Sequence, residues 1–513
     1  MSSPSSPPRL TVAILARDAE HLLPGTLSTA LRLTQDVVVL DTGSSDGTCH
    51  VARAAGARVL EAPWQDDFAA ARNQLWDNLT GQWILWLDAG EELSQADALA
   101  LRAFVEASAS PTKAYMLLVS VPAAPDSIAG EQIGSVRLVP NRRDVRYRGR
   151  LHERLDECLA AAKLAIEGLP WRIQRGAGEH APGRKLARAQ RNLHIVQVQI
   201  AEQGQIPQHL ITLAGALCDL GDHASAVPCY RKAIHDALPG SRESREAYYG
   251  LLTALDNDPS QRELQVNICL EALAAFPLDA QLLCAMGGYL QAKSQNELAA
   301  RAYETAFEFG SVDPSCWHVT EIQEIAAICR SVLAQLENDD HVARHTLERA
   351  LERFPSFTRL RRHLIHVHIR ADRRKEALED VDRLGLDPAE RNSLRSAVRG
   401  ACLAAKQNWV PAVAYLQTAY GDGCRDLICL RWLAVALLST GESASALPIL
   451  HQWQALDPRS VEVQKYLAAI KTPALDEPQR TATDFRHVRI DPAAQSLGME
   501  HLLPRSARAS LPG

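Results

Sequence analysis

Two acidic clusters stand directly after apolar runs, and they are the first residues of the sequence whose types suggest chemistry. Asp41 ends the run Val-Val-Val-Leu, and Asp88 ends the run Trp-Ile-Leu-Trp-Leu, with Glu91 and Glu92 close behind it. Each run is typical of a buried strand, and parallel sheets bind ligands beyond the carboxyl ends of their strands. Carboxylates there suit a divalent cation that bridges a diphosphate. The structural alternative is a capped turn, which uses the same residue types.

A guanidinium group and a His–Glu pair complete the candidates. Arg72 lies on a predicted helix, and an arginine fork pairs well with a diphosphate. A surface ion pair with Asp66 or Asp67 would explain the same arginine. His152 and Glu153 offer a metal ligand and a base, although an isolated pair of this kind usually belongs to a solvated surface. These residues alone leave both interpretations open.

The elements that must position these residues follow a strand–helix rhythm. Apolar runs alternate with amphipathic stretches, which is typical of βαβ units on a parallel sheet. Beyond about residue 181 the strand runs stop and the pattern becomes helical. The predicted strands cover 10–15, 37–40, 58–60, 83–87, 114–121 and 133–139, and the predicted helices cover 22–33, 48–55 and 67–79.

The second half of the chain repeats. A small residue is followed by a large one four positions later and by a small one three positions after that, a pattern of tetratricopeptide-type repeats, whose small residues let paired helices pack closely. Copies start at 226, 265, 299, 343, 377, 412 and 446, and four of the steps between them are 34, 34, 35 and 34 residues. We therefore predict about seven helix pairs between 185 and 465. The segment 1–9 is predicted to be disordered, and 471–513 is predicted to be a flexible tail.

Composition limits the partners and the cellular compartment that we expect for the protein. The chain is 46 % apolar and 23 % charged with a net charge of −6, and its basic residues form no stripe, which argues against nucleic acid. The 11 cysteines show no metal-ligand spacing and are expected to be reduced thiols of a cytoplasmic protein. We expect neither a signal peptide nor a transmembrane segment.

Four separate blocks carry a resemblance to a known family. They are VVVLDTGSSDGT, APWQDDFAAARN, GQWILWLDAGEEL and YRGRLHE, in this order. They resemble the family 2 glycosyltransferases, and more closely the bacterial subgroup in which that domain precedes tetratricopeptide repeats. The resemblance implies an α/β domain of the GT-A fold over 10–180, with a Rossmann-like, mostly parallel sheet. An all-α tetratricopeptide-type solenoid would follow over 185–465.

The resemblance also implies a reaction and the residues that serve it. It implies an inverting transfer from a nucleotide sugar, with a uridine diphosphate sugar as the expected donor and manganese or magnesium as the divalent cation. The family's nucleotide-binding positions correspond to Ala16, Arg17, Asp41, Thr42, Arg72 and Asp88, and its cation-binding positions correspond to Asp88 and His152.

One departure from the family's pattern concerns the cation. The second acid of the D-x-D motif is Gly90 here, and the loss of a charged oxygen ligand weakens cation binding. Glu91 has a longer side chain and is expected to reach in as a metal ligand. The candidates for the base that removes the acceptor proton are Glu91, Glu92 and Glu153. Glu153 is ranked last among them, because its neighbour His152 suits a metal.

Two functions from different classes are compatible with the sequence. In the first, the chain is a glycosyltransferase whose repeats present a peptide, protein or cell-surface glycan acceptor, and the cation or Arg150 stabilises the departing diphosphate. In the second, the repeats form a non-catalytic scaffold that binds a partner peptide in a concave groove, and the N-terminal domain is degenerate. Gly90 favours the scaffold, whereas the other intact blocks favour the enzyme.

Overall fold

The structure is a computed structural model, and it describes residues 9–123, 129–176, 182–256, 258–458 and 460–471. The predicted disordered segment 1–9 lies outside these residues apart from Arg9, and the predicted tail 471–513 lies outside them apart from Lys471.

The described chain divides into two compact units. The first contains the residues up to Leu282 together with Val312–Thr320, and the second contains Leu283–Ser311 and the residues from Glu321 onward. The strands and the first helices of the array belong to the first unit, and the remaining helices belong to the second.

The first unit begins with alternating strands and helices. All of the predicted strands and helices of this region are present, and their ends differ from the predicted ones by at most three residues. In chain order the elements are β1 (Leu10–Ala16), α1 (Leu23–Leu33), β2 (Val37–Asp41), α2 (Thr48–Ala54), β3 (Arg58–Glu61), α3 (Phe68–Trp76), β4 (Trp83–Asp88), β5 (Glu91–Leu93), α4 (Gln95–Ala107), β6 (Lys113–Val121), β7 (Glu131–Pro140), α5 (Asp156–Ala161) and β8 (Ala165–Arg175).

The strands form one mixed sheet. Its order is β3-β2-β1-β4-β7-β6-β8-β5, and a short ninth strand, β9 (His318–Val319), pairs with β7. Strands β3, β2, β1 and β4 are parallel, whereas β7 runs antiparallel to β4. The register aligns Ala16 with Asp41 and Leu15 with Asp88 on neighbouring strands. The two acidic clusters of the sequence therefore meet at one edge of the sheet.

Both faces of the sheet are covered by helices. Ile14 and Leu85 point to one face and pack with α1 and α4, while Leu15 and Trp86 point to the other face and pack with α3 and α5. This alternation follows from the two-residue period of a strand. Because the central strands are buried on both sides, they are apolar throughout, which makes them recognisable in the sequence.

A helical array follows the sheet domain. Helices α7 to α20 form seven consecutive pairs, with α6 before them and α21 after them. The helices are α6 (Pro182–Gln203), α7 (Pro207–Asp219), α8 (His223–Asp236), α9 (Arg242–Leu255), α10 (Arg262–Ala275), α11 (Ala280–Ala292), α12 (Asn296–Phe309), α13 (Ile322–Leu336), α14 (Asp340–Arg353), α15 (Thr358–Arg370), α16 (Arg374–Asp382), α17 (Pro388–Ala405), α18 (Trp409–Gly421), α19 (Leu427–Ser439), α20 (Ser443–Leu456) and α21 (Val461–Lys471).

The repeated small and large residues lie between the helices. All three repeat positions are buried in every one of the seven copies, as Ala299, Tyr303 and Ala306 illustrate. On α11, Gly287 faces the ring of Tyr303 on α12, and a Cβ atom at Gly287 would come within 2.5 Å of that ring. The pattern thus marks positions where one helix must be narrow so that its neighbour can place a large side chain.

The fold class predicted from the sequence is confirmed. An α/β domain built on one sheet is followed by an all-α array of the tetratricopeptide type. Among the described helices, none is both long and apolar enough to cross a membrane. All 11 cysteines are free thiols.

We expect Gly287→Ala to destabilise the array, because the added methyl group overlaps the buried ring of Tyr303. Overpacking of this kind costs about 1–3 kcal/mol and would lower the midpoint of thermal unfolding. Gly421→Ala is the matched control, since nothing lies within 4 Å of the added Cβ there. Equal midpoints for the two variants would contradict the close packing of α11 against α12.

Candidate active site

Arg72 connects three of the four sequence blocks. It lies on α3, which begins after Asp67, whose side chain accepts a hydrogen bond from the backbone N–H of Ala70. The side chain of Arg72 is 4 % exposed; its Nη2 donates to Asp88 Oδ1 at 2.7 Å, and its Nε donates to Glu153 Oε1 at 2.6 Å. Residues far apart in the sequence thus form one buried ion-pair network.

Aromatic rings and a side-chain amide hold Arg72 in place. Its guanidinium carbon lies 5.2 Å from the ring centroid of Trp86 and 5.4 Å from that of Tyr147, within the range of cation–π attraction. Asn73 donates to the carbonyl of Tyr147 at 3.0 Å and accepts from its N–H at 2.9 Å. Burial lowers the pKa of Arg72, but Asp88 and Glu153 raise it by more, so the group stays charged.

Two further arginines pair with the carboxylates of Asp88 and Glu91. Arg137 of β7 donates to Glu91 at 2.7 Å and to Asp88 at 3.4 Å, and Arg175 of β8 donates to Glu91 at 3.0 Å. Glu91 also accepts from the backbone N–H of Asp88 at 2.9 Å. Burial raises the pKa of Asp88, but its attraction to the three arginines prevails and brings it to about 2. With Glu153, three carboxylates balance three guanidinium groups.

The three residues predicted as metal ligands do not assemble into a metal site. Among the residues the structure describes, no group of three His, Cys, Asp or Glu side chains is placed to hold an ion. Asp88 and Glu91 are occupied by guanidinium groups. Burial, followed by the charges of Arg154 and Arg242, lowers the pKa of His152 to about 3, so this side chain is neutral near pH 7. The donor set as it stands does not fit a divalent cation.

Backbone geometry accounts for Gly90. Its φ is +96°, in a region that residues with a side chain rarely adopt. Its N–H donates to Thr26 Oγ1 at 2.9 Å, and a Cβ atom would lie 3.6 Å from Leu22. An acid at this position would therefore strain the turn between β4 and β5, because a residue with a side chain rarely adopts this φ angle. A steric clash would not contribute, since the nearest atom lies 3.6 Å away.

Asp41 and Thr42 shape the loop that follows β2. Asp41 is 4 % exposed, and its carboxylate accepts from the N–H groups of Gly43 and Ser44 at 3.1 and 3.0 Å. The N–H of Thr42 donates to the carbonyl of Ala16 at 3.0 Å. These predicted nucleotide-binding residues thus lie together, where β1 and β2 end.

The loop after β1 is bonded to the loop after β2. Asp18 accepts from the N–H of Ser45 at 2.7 Å, and Glu20 accepts from the N–H of Gly47 at 2.7 Å. The side chain of Arg17 is 49 % exposed, and its nearest acid is Asp18 at 3.9 Å. Arg17 is therefore a solvent-accessible positive charge beside two loops that are held together by hydrogen bonds.

The three candidate bases occupy different environments. Glu91 is 1 % exposed and fully engaged by donors. Glu92 is exposed, and its carboxylate lies over Gly25 of α1. The side chain of Glu153 is 6 % exposed, lies at the edge of a cavity of about 240 Å³ and uses only Oε1 for Arg72. This geometry favours Glu153, which the sequence ranks last.

Arg150, considered as a substitute for the cation, has a different partner. Its Nε and Nη2 donate to the two carboxylate oxygens of Glu202 on α6, at 2.7 and 2.6 Å. This bidentate pair joins the sheet domain to the first helix of the array.

Arg137 and Arg175 were not predicted as site residues. Arg137 is a charge within the apolar run of a predicted strand, and such a charge indicates a buried acidic partner. Arg175 has no comparable signal, because it faces Glu91 only through the pairing of β5 with β8, and neither strand was predicted.

Comparisons with known proteins support the resemblance, and the family model covers three of the four blocks. Residues 11–108 match the family model described as Glycosyl transferase family 2. A TPR repeat-containing protein of Synechococcus elongatus is 37 % identical over 167 residues, which are 32 % of this chain and 39 % of that protein. An uncharacterized glycosyltransferase of Rickettsia typhi is 30 % identical over 92 residues, 17 % of this chain and 30 % of that protein. The predicted resemblance to family 2 glycosyltransferases is thereby confirmed over residues 11–108.

The comparisons cover the relatives only in part. The chain spans less than half the length of both relatives it matches. Among solved structures, a tetratricopeptide repeat protein from Parabacteroides merdae has a TM-score of 0.38 at 14 % identity, covering 52 % of this chain and 99 % of that one.

We expect Arg72→Met to destabilise the first unit strongly, because Asp88 and Glu153 lose their shared partner while remaining buried. Breaking one side of a buried ion pair costs about 3–5 kcal/mol. Arg102→Met is the control, since Arg102 pairs with Glu106 on the surface, where both side chains are more than half exposed; it should cost below about 0.5 kcal/mol. Denaturant unfolding measures both. A similar loss in the two variants would refute the organising role of Arg72.

Proposed function

We propose that this chain is an inverting glycosyltransferase that moves a sugar from a nucleotide-sugar donor to a hydroxyl group. The observation that carries the proposal is the buried network in which Arg72 joins Asp88 to Glu153 at the carboxyl edge of the parallel strands. Three buried carboxylates and three buried arginines meet at the edge where parallel sheets bind their ligands, and clusters of buried charged groups are typical of functional sites. The family match over residues 11–108 supports the same class.

The donor is proposed to bind where β1 and β2 end. Ala16, Arg17, Asp41 and Thr42 lie together there, and they would receive the base and ribose of a uridine diphosphate sugar. Arg17 supplies an accessible positive charge beside this edge. The loops after β1 and β2 are already bonded to each other, so little ordering is needed when the nucleotide binds.

The charge that develops on the departing diphosphate is proposed to be stabilised by arginine. Manganese or magnesium commonly serves this purpose in the family, but here a cation would have to displace guanidinium groups from Asp88 and Glu91. Within the described part of the chain, Nη1 of Arg72 has no hydrogen-bond partner, so it can donate to an oxygen of the leaving group. A fixed donor in a buried site is an effective stabiliser of developing charge.

Glu153 is proposed as the general base. The acceptor oxygen attacks the anomeric carbon, and the bond from that carbon to the diphosphate oxygen breaks. The nucleoside diphosphate leaves with the bonding electrons, and the acceptor proton passes to the carboxylate of Glu153. Its bond with Arg72 holds the carboxylate in position and leaves Oε2 to take the proton.

The alternative is a non-catalytic repeat scaffold that binds a peptide or protein. Gly90 and the saturated acids favour it, because both depart from a metal-binding D-x-D motif. The two candidate functions can be told apart by reaction: an enzyme consumes a nucleotide sugar and releases a product, whereas a scaffold does neither.

We expect Glu153→Gln to lower the turnover number by about 100- to 10,000-fold, the usual contribution of a general base. Glutamine can still accept the hydrogen bond of Arg72, so the donor affinity should be unchanged. The measurement is a nucleotide-sugar panel with mass-spectrometric detection of products on the full chain. Glu157→Gln is the control, since Glu157 is on the surface nearby. Turnover near the wild-type rate in Glu153→Gln would exclude this base, and no product with any donor would favour the scaffold.

A further inference from the structure

A cavity of about 240 Å³ lies beside the Arg72 network, within the first unit. Strand β7 contributes Ile133 and Val136 to its wall, and the sheet domain adds Arg72 and Glu153. The opposite wall comes from the helical array, through Thr212 of α7 and Arg242 of α9. The cavity thus borders the proposed general base on one side and the first repeats on the other.

The helical wall is fixed to the sheet domain by several bonds. Arg154 donates to Gln208 of α7 at 3.0 Å and to Glu243 of α9 at 3.1 Å. The segment before β9 approaches β7, where the N–H of Gly134 donates to the carbonyl of Pro314 at 2.5 Å. The first repeats are therefore bonded to the sheet domain at the cavity and form part of its lining.

Two buried donors at the cavity lack partners. Arg72 Nη1 and Arg137 Nε are buried without a hydrogen bond among the described residues, and both arginines line the cavity. A buried unsatisfied polar group costs about 1–3 kcal/mol. A ligand that brings oxygen acceptors would remove this cost, which points to a ligand rich in hydroxyl or other oxygen groups.

Size and lining restrict the ligand further. A cavity of about 150 Å³ can hold benzene, so this one holds a single ring with several substituents and not a folded segment of a protein. Trp317 and Tyr147 provide aromatic surface, while Gln208, Asp156 and Glu246 provide polar groups. An aromatic surface with surrounding hydrogen-bonding side chains suits a hydroxylated ring better than a purely apolar one.

We propose that this cavity is the acceptor pocket and that it takes the terminal sugar ring of a glycan. The inference rests on the proposed glycosyltransferase function and adds the class of acceptor. Its second element is the role of the array: helices α7 and α9 supply one wall, so that the first repeats select the acceptor directly. The reacting sugar hydroxyl lies near Glu153, and another oxygen of the sugar accepts from the free donor of Arg137, while the free donor of Arg72 is left for the diphosphate.

The test fills the pocket from the helical side. Thr212→Trp places a large ring in the cavity, and Thr212→Leu adds fewer atoms in case the larger side chain disturbs folding. Leu238→Trp is the matched control, because Leu238 is 79 % exposed. Binding of a panel of methyl glycosides to the full chain is measured by saturation-transfer NMR with saturating uridine diphosphate, and N-acetyltyrosinamide is tested in parallel.

The expected result is that a methyl glycoside binds the wild type and Leu238→Trp alike. Its apparent Kd should rise at least about tenfold in Thr212→Trp, with a smaller rise in Thr212→Leu. Binding that is equal in all four proteins, or binding of N-acetyltyrosinamide without any glycoside, would overturn the acceptor pocket. The same samples report on uridine diphosphate. If no uridine nucleotide binds the wild type, the proposed function fails instead, and the two failures are thus distinguishable.

Discussion

The candidate site depends on one buried guanidinium group. Arg72 lies between Asp88, at the end of a central strand, and Glu153, in a loop that follows the sheet. An arginine with so little exposure is stable only when its charge is balanced and its donors are bonded. The register of β4, the position of α3 and the course of the 147–153 segment must therefore all agree. The sequence blocks are far apart along the chain, but their charged residues meet in a single buried network.

The same charge balance changes the expected chemistry. The resemblance to metal-using enzymes implies a divalent cation at Asp88, yet three arginines neutralise the acids that would hold it. Gly90 fits this arrangement, since its positive φ forms the turn that leads into β5 and brings Glu91 opposite Arg175. The missing acid and the arginine cluster both depart from a metal-binding D-x-D motif, and the guanidinium groups lie where a cation bound to Asp88 and Glu91 would lie.

Much of the fold could be predicted because its signals are local. The central strands are continuous apolar runs, and the repeat positions recur at nearly constant steps. The strands β5 and β8 were missed, because β5 has three residues and β8 contains Gly168 and Pro170, which interrupt the pattern of a strand. Arg72 and Asp88 could be singled out, but their contact could not, since an ion pair between distant residues depends on the tertiary arrangement. The same holds for Thr212 and Arg242, whose place beside Glu153 comes from the packing of the array.

The most direct test of the account is the dependence of donor binding on a metal. Calorimetric titration of uridine diphosphate sugars into the full chain, with EDTA and then with manganese, measures it. Because arginines pair with Asp88 and Glu91, we expect a dissociation constant that changes by less than about twofold between the two conditions. Affinity that rises at least about tenfold with manganese, or binding that requires it, would contradict the arginine-based site.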